Sequence, residues 1–395
     1  MTASPEQPSV PRIADEVAAR LRADAVEREH RGAEPVAEIA LLRESGLLRL
    51  LVPTEHGGLG GDWPTAHRVI TTVGAADASI GHLLGYHYFQ LWRIRLFDVP
   101  EQQARLERAS VEGSWFWAGV SNPRDAALVA RPVPGGFAVS GRKFFATGAS
   151  VADRLIASGT EADTGHKIAF TLDAAAEGIR FLGDWDNLGQ RLSASGGVEF
   201  TDAFVPEGDV LGVQPAPEEP RAWRDSLSPL GFQLLLSRLH VAIAEGALGE
   251  AGRYTAEQSR AWPLSGVEAA TDDPYVLAEY GRLDARLAAA TLLVDAASRA
   301  FEDAEALGTG LTAERRGELG VLISRAKVVS TEVVNEIGTR IFELTGARAT
   351  SARHGLDRYW RNARTLTLHD PVSYKAREIG RHRLTGELPP VTGYS

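Results

Sequence analysis

Cysteine is absent from all 395 residues. Disulfides, thiolate nucleophiles and cysteine-held metals are excluded in one step, and the cytoplasm is a compatible and expected location. Also missing is any apolar run near the roughly 18 residues that span a bilayer, so no membrane partner is expected. There is no basic surplus either. The formal net charge is −10, whereas a nucleic-acid binder normally presents a basic face. Lysine is scarce: only Lys143, Lys167, Lys327 and Lys375 stand among 42 basic residues. That reads as a coding bias toward arginine. The ten histidines show no ligand spacing: His82 and His87 lie five apart, and a helical stretch separates His354 from His369. No metal is expected. Met1 to Pro11 lacks a basic start and an apolar centre, so it reads as a polar tail and not as a secretory leader.

What is present is an ordinary globular composition, 44% hydrophobic and 24% charged, and enough length for two or three domains. After a disordered tail over residues 1–12, apolar spacings of three and four (Val17, Leu21; Val36, Ile39, Leu42) predict a helical domain over 13–112. It is interrupted at Pro53–Gly61 and at Asp98–Pro100. Residues 113–214 change character. Short apolar runs separated by turn signals predict a β domain of about six strands, with a hairpin at Pro134-Gly135-Gly136. A proline- and charge-rich linker over 215–229 follows. Long helical patterns near 233–260, 275–307, 313–344 and 357–384 predict a four-helix bundle within 230–395.

Five short stretches carry candidate chemistry. They are Pro53–Gly61; Trp115–Pro123, with Ser121 and Asn122; Gly141–Ala149, with Phe145 and Thr147; Gly85-Tyr86-His87-Tyr88-Phe89-Gln90; and Leu366–Pro371, with His369 and Asp370. Each has an ordinary structural reading too. His87 equally reads as a core histidine among packing aromatics. His369-Asp370-Pro371 also reads as a helix start, with Asp as cap and Pro at the first helical position.

The order of domains, the Pro-x-Glu and glycine-rich turn, and the Arg361–Pro371 segment together resemble the acyl-CoA dehydrogenase superfamily over about residues 13–384. The implied fold class is α+β: an N-terminal helical domain, a central β-barrel or sandwich, and a C-terminal four-helix bundle. The family's catalytic glutamate position holds Asp370, preceded by His369. This resembles the branch of flavin-dependent monooxygenases typified by dibenzothiophene monooxygenase and by indole hydroxylases of natural-product pathways. By that resemblance, reduced flavin and O2 form a C4a-hydroperoxide that oxygenates an indole or a thiophene-type heterocycle. A separate NAD(P)H-dependent reductase would supply the flavin, and the protein would be a homotetramer. The carry-over makes His87, Thr147, His369 and Asp370 catalytic. It assigns Trp117, Ser121, Phe145, Thr147, Arg260 and Arg340 to the cofactor, and Tyr86, Tyr88 and Trp117 to the substrate. Of the histidine pair carried by the sulfur-oxidising relatives, Leu366 replaces the first member. Glu343 and Leu344 replace paired glycines near the adenine half, so FAD and FMN both stand. Alternatives on the same fold are an acyl-CoA dehydrogenase with Asp370 as base, an N-hydroxylase of amines or amino sugars, and an inactive subunit of an assembly.

Overall fold

The structure, a computed structural model, describes residues 9–97, 99–214 and 222–395. Most of the expected tail and the first half of the expected linker lie outside these residues.

Six helices open the chain: α1 Val10–Ala23, α2 Ala25–Arg31, α3 Val36–Ser45, α4 Trp63–Ala76, α5 Ala78–Arg93 and α6 Pro100–Glu112. Their starts follow local chemistry. Asp62 accepts from Thr65 N–H at 2.8 Å ahead of α4. Asp77 accepts from Ser79 and Ile80 N–H at 3.0 and 3.1 Å ahead of α5. Each carboxylate thus satisfies helix-end donors that would otherwise be orphaned. The Pro53–Gly61 turn is tight because a Cβ on Gly58 would fall 1.9 Å from the Val52 carbonyl oxygen.

Eight strands form the middle: β1 Trp117–Val120, β2 Leu128–Val133, β3 Gly136–Lys143, β4 Arg154–Glu161, β5 Lys167–Asp173, β6 Ile179–Phe181, β7 Val198–Pro206 and β8 Val210–Gln214. They make one mixed sheet in the order β6-β7-β3-β2-β4-β5-β8, with β1 parallel to β4. β2 and β8 exceed the expected six. β2 carries Arg131 and Pro132 on its exposed side, which hides it from an apolar-run reading.

The bundle contains α7 Leu227–Glu257, α8 Pro274–Ala306 and α9 Ala313–Thr345. α7 begins inside the stretch expected to be linker. By length and composition the Trp223–Glu257 segment could cross a membrane, but 83% of its apolar window is buried inside the bundle. The fourth expected helix is two, α10 Asp357–Leu366 and α11 Val372–Thr385. The break between them, Thr367–Pro371, holds the His-Asp pair. One apolar core runs continuously from α1, α4 and α5 into α7, α8 and α9. The sheet has its own core around Phe170 and Phe200.

Candidate active site

Pro371 itself is the residue ahead of α11, and no side chain caps that helix. The Asp370 carboxylate is therefore not spent on backbone N–H groups, contrary to the helix-start reading. It turns inward, buried. His369 Nδ1 lies 3.0 Å from Asp370 Oδ1, and Lys327 Nζ approaches the same oxygen at 3.6 Å. Although burial opposes ionisation, the hydrogen bond from His369, the Lys327 charge and Gln233 hold this carboxyl well below the usual carboxylate range. A carboxylate only accepts, so Nδ1 carries the proton, and Nε2 has no protein partner among the described residues. The imidazole packs on Phe232 at 4.9 Å between ring centroids, with Tyr394 at 6.1 Å.

Facing this pair is one stripe of α5. His82, Tyr86 and Phe89 recur at spacings of four and three, on one helical face. The Tyr86 ring meets His82 edge-on at 5.9 Å and Phe232 at 5.8 Å. Phe89 lies 5.5 Å from Phe232. His82 Nδ1 is 3.1 Å from Gln190 Oε1. Burial pulls His82 down to about 4, and the nearby His369 adds to that effect. At the end of the stripe, Arg93 donates to Gln90 Oε1 at 2.9 Å and sits over Phe89. No carboxylate pairs with it among the described residues, and burial lowers its pKa.

A second group comes from the loops that join the strands. Gln190, held at a positive φ of 56°, joins His82 to a chain of hydroxyls. Ser193 Oγ donates to its carbonyl at 2.8 Å, Ser193 and Ser195 hydroxyls are 2.7 Å apart, and Thr147 Oγ1 lies 2.9 Å from Ser195 Oγ. Gln190 N–H donates to Asn362 Oδ1 of α10 at 2.5 Å, which ties the loop to the bundle. Phe145, at φ 55°, is 63% exposed, with Trp185 edge-on at 6.1 Å. The Ser121 hydroxyl is buried without a hydrogen-bond partner among the described residues. The next residues are fixed: Asn122 Nδ2 donates to Asp125 Oδ1 at 3.0 Å, and Lys143 Nζ donates to the Asn122 carbonyl at 3.2 Å.

Three expected site residues turn elsewhere. Both nitrogens of His87 serve the backbone: Nε2 donates to the Leu48 carbonyl at 2.7 Å, and Nδ1 accepts from Trp117 N–H at 3.0 Å. Burial holds it neutral, down to about 4. It sits as a core histidine stacked on Phe116, with both ring nitrogens engaged. Tyr88 is fully buried and donates to the Leu47 carbonyl at 2.8 Å. The Trp117 side chain is fully buried too, its Nε1–H on Ser110 Oγ at 2.9 Å, so it presents no surface to the His369–Asp370 cluster. For His87 and Tyr88 the reason is helical geometry. Tyr86, His87 and Tyr88 are consecutive, about 100° apart around the axis, and cannot share one pocket face. His82, missed as a site residue, is the histidine on the Tyr86 face. The i, i+4 spacing was the signal that finds it.

His369, Asp370 and Tyr86 therefore meet in one cluster, and Thr147 joins it through the hydroxyl chain and Gln190. Gln190, Gln233, Phe232 and Lys327 also belong to it, and no local motif in the sequence marks them. Arg260 and Arg340 stand apart. Arg260 is exposed beyond the end of α7. Arg340 pairs with Glu279 at 2.7 Å and Glu343 at 3.3 Å. Among the described residues no group of three His, Asp or Glu stands ready for a metal ion. A flavin fits what is here: an unpartnered buried hydroxyl at Ser121, the Thr147 hydroxyl chain, and the exposed Phe145 ring.

Comparison with known proteins agrees with this geometry. The N-terminal domain model of acyl-CoA dehydrogenases matches residues 7–114, and the C-terminal domain model matches residues 234–374. A probable FMNH2-dependent monooxygenase, SfnC, from Pseudomonas putida is 39% identical over 99% of this chain and 98% of its own. Dibenzothiophene monooxygenase from Rhodococcus erythropolis is 37% identical over 98% and 99%. Methanesulfinate monooxygenase MsuC from Pseudomonas fluorescens superposes with a TM-score of 0.93 at 39% identity, over 99% of this chain and 100% of that one. TdsC from Paenibacillus sp. A11-2, in complex with FMN and indole, superposes with a TM-score of 0.93 at 38% identity, over 98% and 99%. The chain belongs to the acyl-CoA dehydrogenase family and, within it, to the flavin-dependent monooxygenases.

Proposed function

We propose that this protein takes reduced FMN from a separate NAD(P)H-dependent reductase and oxygenates an uncharged aromatic heterocycle, an indole or a thiophene-type compound. One observation carries the oxygenase reading: Asp370 is engaged by His369, Lys327 and Gln233 and held strongly acidic. A dehydrogenase needs a free carboxylate there, with enough basicity to take an α-proton, and Asp370 has neither property. Reduced flavin, when bound, supplies the two electrons with which one atom of O2 enters the substrate and the other leaves as water. The chain supplies the rest. Phe145 and the Ser121 hydroxyl hold the flavin, and the Thr147–Ser195–Ser193 chain keeps hydroxyl groups in place beside it. His369 exchanges a proton through Nε2 while Asp370 fixes Nδ1. Tyr86, Phe89 and Phe232 give a flat apolar wall that suits a planar ring system and excludes water. FMN is favoured over FAD because Glu343 and Leu344 stand in place of the glycines near the adenine half. The FMN-bound relative supports the same choice.

A second reading has its own observation. Arg93 ends the α5 stripe without a carboxylate partner among the described residues, and a guanidinium there suits a small sulfur oxyanion such as the substrate named for MsuC. The two readings separate in one assay. Purified protein, a flavin reductase, NADH, FMN and catalase are given indole, dibenzothiophene or methanesulfinate, and products gaining one oxygen are sought by mass spectrometry. Turnover of either heterocycle supports the first reading. Turnover of methanesulfinate alone, lost in Arg93→Met, replaces it with the second. No product from any of them, with reduction of bound flavin by an acyl-CoA, rejects both.

A further inference from the structure

Beneath the His369–Asp370 pair lies a buried cation. Lys327 sits in the middle of α9 with none of its surface exposed. Its Nζ has no hydrogen-bond partner among the described residues and lies 3.6 Å from Asp370 Oδ1. The groups around it come from two other helices and a loop. From α7 comes His240, which burial keeps neutral; its Nδ1 is 3.1 Å from Ser330 Oγ, and its Nε2 has no partner. From α11 comes Lys375, already engaged by Glu378 at 3.1 Å and by the Tyr394 carbonyl at 2.7 Å. From the loop between α10 and α11 come Asp370 and, behind it, His369. Among the described residues, Asp370 is the one anion in ion-pair contact with Lys327.

A fully buried ammonium is costly unless it is paired, and a buried aspartate that must stay ionised needs a cation. Lysine is also the rare base of this chain, four of 42 basic residues. Its compact ammonium suits a point contact where a planar guanidinium would need room for a fork.

We propose that Lys327 is a positioning residue for oxygenation: its ammonium holds the Asp370 carboxylate ionised and aimed at His369 Nδ1, which keeps Nε2 turned to the reacting groups. The inference rests on the oxygenase reading of the site. Burial pushes the Lys327 ammonium down to about 8, with Asp370 opposing that fall. The pair is therefore intact near neutrality. Above about pH 8 Lys327 goes neutral, and Asp370 keeps only His369 and Gln233.

The four lysines make the test direct. Isotope labelling of lysine Cε on the purified full-length protein gives four signals to follow against pH. One signal should titrate near pH 8 and vanish in Lys327→Met. In Asp370→Asn its midpoint should fall by about one pH unit or more, because the opposing anion is gone. In the reconstituted reaction, product formed per reduced flavin should fall near pH 8. Lys327→Met should lower it on the order of tenfold at pH 7 and erase that alkaline limb. A midpoint unmoved by Asp370→Asn, or a Lys327→Met variant with the wild-type yield and pH profile, overturns the inference. A midpoint that does move, in a protein that oxygenates no substrate, overturns the oxygenase reading instead and leaves the ion pair standing.

Discussion

At the scale of single residues, two histidines with similar neighbours have opposite fates. His369 has one nitrogen fixed by Asp370 and the other without a protein partner among the described residues. His87 has both nitrogens bonded to backbone. His369→Ala is expected to lower product formation by about 10²–10⁴-fold with little change in folding. Comparing reconstituted turnover with thermal unfolding of the same preparation checks this, and near-normal turnover would remove His369 from the chemistry. His87→Ala should do the reverse. It strands the buried Trp117 N–H and the Leu48 carbonyl, at a cost of about 1–3 kcal/mol each. Denaturant unfolding should show the loss, while whatever folds keeps its oxygenase activity. The sequence marked the His369 loop because a local pattern carried it. It did not separate His82 from His87, because facing is set by rotation around a helix and by what packs on each side. Gln190 and Lys327 were illegible for a related reason: each gains its meaning from residues more than forty positions away.

At the scale of elements, the site depends on how closely α4, α5 and α7 approach. A Cβ on Gly81 would stand 2.4 Å from Gly74 Cα, and one on Gly85 would stand 2.4 Å from a Leu235 methyl. Gly81 meets backbone, which cannot rotate away. Gly81→Ala should therefore push α5 off α4 and cost about 1–3 kcal/mol. It should also move the His82–Tyr86–Phe89 stripe, so oxygenation should fall along with stability. Denaturant midpoints together with turnover test this, and a variant as stable as wild type would contradict the packing. Helix periodicity made α5 and the three long bundle helices legible. The break between α10 and α11 was legible only in part: apolar spacing ran as one pattern over 357–384, while His369-Asp370-Pro371 already read as a helix start. β2 was missed because Arg131 and Pro132 interrupt its apolar run, and the short β8 because Gly212 interrupts its own.

At the scale of the whole molecule, buried neutral histidines set an acid limit. His82 and His87 are both held down to about 4 by burial, against about 6.5 in an unfolded chain. Between those values the unfolded state binds the extra protons. Stability is thus complete above about pH 6.5 and falls as pH drops toward 4. The ceiling is about 3 kcal/mol per histidine. Thermal midpoints should fall steeply across that window, and a flat profile would contradict the burial. The molecule also leaves apolar side chains in water: Trp262, Leu264, Leu292 and Leu384 are all well exposed. We expect a homotetramer of about 170 kDa, four times the 42.5 kDa chain, with some of these residues covered. Light scattering checks the mass, and a fully active monomer would contradict it.

The central claim is that the His369–Asp370 site serves oxygen insertion and not proton abstraction from a thioester. Its most direct test is a reaction under ¹⁸O2 with reduced FMN supplied and indole or dibenzothiophene as substrate. The account predicts a product carrying one ¹⁸O atom, its yield collapsing in His369→Ala. Bleaching of bound flavin by an acyl-CoA, with no ¹⁸O in any product, would contradict it.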